Sequence, residues 1–344
     1  MNQSKIEWCD HTWNPITGCR HECPYCYART MTARFAGDVR LNKMAKADYQ
    51  LVNAEDGSEA LYCLEKPMKN ETGKALVYPF GFEPTLYKYR MDMPEKLKMG
   101  NNIFVGAMSD VFGNWVPDEW IAEVFHVCRK YPIHNYLFLT KNPERYERID
   151  SAGMLPMGKN MWYGSTITRP EDKSFISNAH KTFWCIEPIH APFRLWERDE
   201  FSPDWIIIGA ETGRRANRII PHREWIMDIV AWCERSGIPV FMKDSLLQVV
   251  GEENMRRDFP DQLQHSEISP KMKKKLYDTC AECKIHLKKS DMITLLARSK
   301  RGEQPKQFGF LCESCFKLFC SGLGLPMPNL VKLAENITFK MEEK

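Results

Sequence analysis

The sequence predicts an α/β fold built on a parallel sheet, with a small cysteine-rich module at its C-terminal end. Three observations predict it: short apolar runs separated by helical patterns, a loss of that rhythm near Val250, and cysteines gathered towards both ends of the chain. The runs are Ile103–Ala107, Tyr136–Thr140, Met161–Ser165, Phe183–Glu187, Trp205–Gly209 and Pro239–Lys243. Each is nearly continuous in apolar character and rich in β-branched or aromatic residues, as expected of strands buried on both faces. Their starts lie mostly roughly 20–35 residues apart, the spacing of βα units, which fits either a parallel α/β barrel or a doubly wound sheet.

Taken in order, Thr12–Thr17 reads as a first strand. Residues 38–100 then break the rhythm, with turn signals at Glu55-Asp56-Gly57 and Asn70-Glu71, and read as an insertion that covers one mouth of the sheet. After Pro117, a good first helical position, Trp120, Ile121, Val124, Phe125 and Cys128 recur at helical spacing. Pro143–Ile149 and Pro170–Ala179 are shorter helical candidates. Trp225, Ile226, Ile229, Val230 and Cys233 repeat the pattern before Gly237, a C-terminal stop. The expected organisation is a barrel-like domain over 1–255, a charged linker over 256–275 and a module over 276–344.

Of the 344 residues, 43% are hydrophobic and 27% charged, which excludes a disordered chain. No apolar run approaches the roughly 18 residues of a membrane span, and the N-terminus lacks a signal-peptide layout. The expectation is a cytoplasmic protein without membrane contact. In that compartment thiols stay reduced, so clustered members of the 13 cysteines point to metal or catalysis. Cys9, Cys63, Cys128, Cys185 and Cys233 stand alone and read as small buried hydrophobes.

Cys19, Cys23 and Cys26 form a C-x3-C-x2-C triple just after the first strand. Three thiolates on one short loop can hold three irons of a cubane and leave the fourth open. Zinc needs a fourth protein ligand, and His21 would have to supply it from inside the same tight loop.

This triple, with Tyr25 just before its last cysteine, resembles the signature of the radical S-adenosylmethionine (SAM) superfamily. The resemblance covers roughly residues 5–250. Four segments, IEWCDHTWNPITGC, FVGAMSDVFG, LFLTKNPERY and DWIIIGAETG, are similar to a phage-associated family with the same three-cysteine motif, a domain of unknown function. The resemblance implies a partial (β/α) barrel of the TIM type and a [4Fe-4S] cluster on Cys19, Cys23 and Cys26. The open iron would chelate SAM, and an electron from a donor protein such as a flavodoxin or ferredoxin would cleave it to methionine and a 5′-deoxyadenosyl radical. It also implies that Tyr25 packs near the adenine. Ser109 and Asp110 stand where the superfamily contacts the SAM amino group, although the usual Gly-Gly-Glu form is absent.

Position supplies an independent argument, because parallel α/β barrels carry their chemistry at the C-terminal strand ends. There the sequence places Ser109, Asp110, Lys141, Ser165, Thr166, Glu187, Glu211, Lys243 and Asp244. Each alone could simply end a strand in a solvated turn; the set reads as a polar ring around a mouth. Thr166 is the candidate for the ribose, Gly209 and Glu211 border the adenine, and Lys141, Glu187 and Lys243 are the candidates for substrate contact and catalysis.

Cys280, Cys283, Cys312 and Cys315 form two C-x2-C knuckles, the pattern of a four-thiolate Zn2+ site. An auxiliary iron–sulfur cluster with Cys320 as a spare ligand remains a rival. The gap between the knuckles leaves room for a small hairpin or helix around Ile293–Arg298. From Asp261 onward 15 Lys and Arg face 10 Asp and Glu, so the module suits a nucleic acid through its phosphates. The readings left open are a radical SAM enzyme acting on a nucleic acid or nucleotide, one acting on a protein or peptide, and a non-catalytic zinc-stabilised nucleic-acid-binding protein.

Overall fold

The computed structural model describes residues 2–97, 100–193, 202–216 and 218–264, and then only short segments: 277–279, 286–288, 292–297, 306–312, 316–317, 321 and 339–341. The chain divides into two compact units, Met1–Glu267 and Ile268–Lys344.

The first unit is mixed α/β. Its main sheet contains seven parallel strands, β1 (His11–Trp13), β2 (Asn102–Val105), β3 (Asn135–Thr140), β4 (Met161–Ile167), β5 (Lys181–Ile186), β6 (Trp205–Ile208) and β7 (Val240–Met242). Asn2–Gln3 adds an antiparallel edge beside β1. The parallel strands lie in the sheet in the order in which they occur in the chain. A doubly wound sheet reverses direction from a central strand; an unreversed order is what a curling sheet on the way to a barrel requires. The sheet is a half-barrel in this sense.

Helices α1 (Tyr27–Phe35), α2 (Asp118–Lys130), α3 (Glu144–Ser151) and α4 (Arg223–Ser236) follow β1, β2, β3 and β6. Alternate strand residues feed two apolar clusters on the helix side. Ile103, Val105, Tyr136, Phe138, Met161 and Tyr163 pack with α2 and α3. Trp184, Ile186, Ile206, Ile208, Val240 and Met242 pack with α4. The intervening residues face the other way. There Phe104, Phe183 and Trp205 gather around Trp8, with ring centroids 4.8, 6.2 and 6.4 Å away. Gly164 is needed here, since any Cβ would run into the Phe183 ring.

Two local expectations are corrected. Thr12–Thr17 is not one strand: His11–Trp13 joins the main sheet, while Ile16–Thr17 pairs with Thr85–Tyr87 in a separate four-stranded sheet completed by Leu61–Leu64 and Gln50–Val52. Pro15, without an N–H, sits at the changeover. Residues 170–179 form turns rather than a helix. The Asp172 carboxylate accepts from the Thr168 and Arg169 N–H groups at 2.7 and 3.1 Å, a local turn that competes with helical bonding.

Gly237 ends α4 in the left-handed region at φ +66°. Replacing it with alanine meets no atom within 4 Å, so the cost is conformational, about 1 kcal/mol. Thermal denaturation of Gly237→Ala is expected to fall by roughly 2–4 °C.

In the second unit Tyr277–Thr279 pairs antiparallel with His286–Lys288. Met292–Ala297 pairs with Lys306–Cys312 and Phe339–Met341; the segment between the knuckles thus contains a strand hairpin. Cys312 is the last residue of its strand. Cys280, Cys283 and Cys315, and with them the expected zinc site, lie outside the described residues.

Candidate functional site

The cysteine loop is held where β1 and β2 end. Gly18 N–H donates to the Met108 carbonyl at 2.9 Å and pairs in register with Ser109. Its φ of +87° and its contact with the Glu83–Pro84 backbone leave no space for a Cβ, so only glycine admits this approach. Cys19 N–H donates to Phe82 at 3.3 Å, and Cys26 N–H closes a turn onto Cys23 at 3.1 Å. Between Cys19 and Cys23, Glu22 adopts φ +55°, a conformation that costs a non-glycine residue about 1 kcal/mol or more. Local strain is therefore stored inside the cysteine motif.

Asp110 fastens this loop from below. Only 5% exposed, it accepts from four donors: His21 Nε2 at 2.7 Å, Phe112 N–H at 3.0 Å, Thr140 Oγ1 at 2.7 Å and Lys141 N–H at 2.9 Å. The His21 ring also meets Trp115 edge-on at 5.0 Å, so this histidine is occupied as an anchor. Asp110 and Ser109, expected as one SAM-contacting pair, therefore differ. Asp110 is committed within the protein, whereas Ser109 Oγ is buried without a hydrogen-bond partner among the described residues.

The three thiols influence one another. Burial, then Asp110 and the two other thiols, push Cys19 up to about 12, against the opposing His21 N–H. Burial also raises Cys23, which Lys141 partly reverses. The free Cys19 and Cys23 thiols hold their protons, and a bound metal would have to displace them. Among the described residues no three His, Cys, Asp or Glu side chains converge on one metal ion. Zinc would need four ligands around a single point. A cubane asks for something else, since each thiolate bonds a different iron at a different corner.

Lys141 Nζ lies 5.2 Å from the centroid of the Tyr25 ring. Burial works against its ammonium, but Tyr25, Cys23 and Asp172 hold its pKa above the ordinary lysine value. The Tyr25 ring also meets the His190 ring edge to face at 5.8 Å. His190 Nε2 is buried without a partner among the described residues, and burial lowers its pKa.

A second group forms across β5, β6 and β7. Strand alternation puts Thr166, Glu187, Gly209 and Lys243 on the face shared with Phe183 and Trp205. Glu187 and Lys243 form an ion pair that passes over Gly209, where a Cβ would stand 3.1 Å from Lys243 Cδ and 3.2 Å from Glu187 Oε1. Gly209 thus clears space for this pair. Burial opposes the Lys243 charge, yet Glu187 raises its pKa overall. Cys185 Sγ lies 3.8 Å from Glu187 Oε2 and feels both Lys243 and Lys141, which links the two groups. Half-buried Thr166 lies on the neighbouring strand.

Glu211 is 5% exposed and pairs with Arg215, leaving Oε2 without a partner among the described residues. Ala210 N–H donates to Ser245 Oγ at 3.0 Å, tying this loop to the end of β7. There Arg257 joins Glu7 and Asp244. Sequence reasoning placed Asp244 in the ring but missed His190, the role of Cys185 beside Glu187, and the Arg257 and Glu7 partners of Asp244. Only His190, three residues past Glu187, carried a signal, as another polar residue beyond a strand end.

No helix among the described residues is long and apolar enough to cross a membrane. A family model described as Protein of unknown function (DUF5131) matches residues 3–269. No curated protein and no solved structure matches the chain.

Proposed function

The chain belongs to the family described as Protein of unknown function (DUF5131), and we propose, from its own residues, that it is a radical SAM enzyme acting on a nucleic acid or nucleotide. The family description assigns no activity, so the proposal rests on residues. One observation carries it: three thiols, on a strained loop anchored independently of any metal, stand at the C-terminal ends of a curled parallel sheet. That is the end where such sheets carry their chemistry. When bound, a [4Fe-4S] cluster and SAM would supply reductive cleavage to methionine and a 5′-deoxyadenosyl radical, which removes hydrogen from a substrate.

The chain's own share is binding, orientation and exclusion of water. Cys19, Cys23 and Cys26 would hold the cluster. Ser109 Oγ and Glu211 Oε2, buried with unused hydrogen-bonding capacity, are the groups we assign to the polar parts of SAM. Tyr25, in contact with Lys141 and His190, offers an aromatic face for the adenine, and Thr166 a hydroxyl for the ribose. Lys141, Glu187 and Lys243 are assigned to the substrate. Both lysines keep raised pKa values, so they act as fixed cations rather than as bases. The cysteine knuckles of the second unit are assigned a Zn2+ ion on their spacing alone. A flavodoxin or ferredoxin in the cytoplasm would supply the electron.

The test is iron, sulfide and zinc content of anoxically prepared protein, with 5′-deoxyadenosine release from SAM after reduction. About four irons and four sulfides per chain, broad absorption near roughly 400 nm and release of the nucleoside are expected. A colourless protein carrying zinc at the first cysteine group would overturn the proposal.

A further inference from the structure

Helix α1 leaves the cysteine loop directly, with Cys26 as its N-cap, and its amphipathicity is inverted. Its small residues Ala28 and Thr32 are buried, while Tyr27, Met31 and Phe35 are 54%, 41% and 54% exposed. These three recur every four residues, so they form one stripe, roughly 6 Å per step, that runs from Tyr27 at the mouth of the sheet out to Phe35. Scattered apolar exposure needs no explanation, but a contiguous stripe of large side chains beside a candidate site does. Arg34 flanks it, exposed and without an ion pair among the described residues, while Arg29 lies on the far side of the helix. Arg29 already rests on the Phe82 ring at 4.9 Å. From Tyr27 to Lys46 there are five Lys and Arg and one Asp.

We infer that α1 is a binding platform for an unpaired nucleic acid strand, along which the substrate enters the cysteine-lined mouth. The rings of Tyr27 and Phe35, two turns apart with the Met31 side chain between them and Arg34 alongside, combine base stacking with phosphate neutralisation. An acidic protein would satisfy Arg34 but would leave Tyr27 and Phe35 without flat partners. Direction follows from Tyr27, whose hydroxyl donates to the Ala107 carbonyl at 2.6 Å, two residues before Ser109. The stripe therefore ends at the mouth of the sheet. This inference deepens the proposed function and takes its substrate class from it, but the binding it asserts can be measured without a cluster.

The experiment is fluorescence anisotropy of the full chain with labelled oligo-dT and oligo-U of about 15 nucleotides and with a duplex of equal length, over a range of salt. Single strands are expected to bind more tightly than the duplex, and the two oligomers report whether DNA or RNA is preferred. Phe35→Ser and Arg34→Glu should each weaken binding about tenfold, the second also flattening the salt dependence, while Phe35→Trp should retain it. Both positions are exposed, so unchanged melting serves as the folding control. Release of 5′-deoxyadenosine from SAM without substrate should be equal in all three variants. Binding unaffected by the variants, preference for the duplex, absence of binding, or variants that impair only reduction by an acidic flavodoxin would each overturn the platform. Oligomer binding that responds as expected in a protein unable to cleave SAM would keep the platform and remove the radical chemistry.

Discussion

Cys23→Ala protein is expected to purify without the brown colour of an iron–sulfur cluster and to release no 5′-deoxyadenosine from SAM, while melting close to the unaltered apo-protein. Each thiolate of the triple would hold its own iron, so one substitution leaves a corner of the cubane without a protein ligand. The fold is not expected to follow, because the loop has other fastenings. Gly18 is bonded to Met108, His21 to Asp110, and Asp110 in turn to Thr140 and the backbone at Phe112 and Lys141. A half-buried thiol outside these contacts is worth about 1 kcal/mol or less to stability. A structural zinc site would behave in the opposite way, since metal binding there is folding free energy. Cys9→Ala is the control. Cys9 is buried, its thiol pushed up to about 12 by that burial, and its loss should cost packing while leaving iron content intact. Equal iron loss in both variants would break the assignment of the triple.

Much of the main sheet was legible because its strands are buried on both faces, which writes them into the chain as unbroken apolar runs. Trp205–Ile208 and Lys181–Ile186 show this plainly, every residue but Lys181 being buried. Gly237 was legible for a different reason, since only a left-handed cap calls for glycine there. The small sheet was not. Its strands are two to four residues long, too short for alternation to register, and Ile16–Thr17 runs on from a strand of another sheet with only Pro15 to mark the change. The turn at Thr168–Asp172 depends on one carboxylate reaching back to backbone N–H groups, a contact that apolar periodicity does not encode.

The candidate site divides along the same line. Polar residues at strand ends could be picked out singly, but their partners are set by register. Glu187 and Lys243 are 56 positions apart and meet only because a glycine, Gly209, stands just past the end of β6 between them. Asp110 read as a ligand contact and is instead saturated by its own protein, whereas its neighbour Ser109 has the free atom. An exposed stripe such as Tyr27, Met31 and Phe35 carries the same periodicity as a buried one. Only the packing of Ala28 and Thr32 shows which way the helix faces.

Breaking the Glu187–Lys243 pair is expected to separate its structural from its functional share. Both side chains are mostly enclosed, 23% and 19% exposed. Lys243→Met leaves a carboxylate beside the Cys185 thiol without its cation, and Glu187→Gln leaves an enclosed ammonium without its anion. Each should destabilise by about 2 kcal/mol, towards the lower end for a buried pair because some solvent reaches it. In a domain of this size that is a fall of roughly 4–8 °C in melting temperature. The double variant removes both charges, and most of that stability should return, a coupling a double-mutant cycle reads directly. If the pair only joins β5 to β7, function should return with it. We expect otherwise. A lysine whose pKa is raised keeps its proton and cannot act as a base, so what it can give a substrate is fixed positive charge. Glu187, in turn, keeps that ammonium at the mouth. The double variant should therefore melt almost normally and still form 5′-deoxyadenosine from SAM. Its modification of an added oligonucleotide should fall about a hundredfold, the scale of losing one preorganised electrostatic contact. Restored modification in the double variant would make the pair a strap and return the search for substrate contacts to Lys141 and His190.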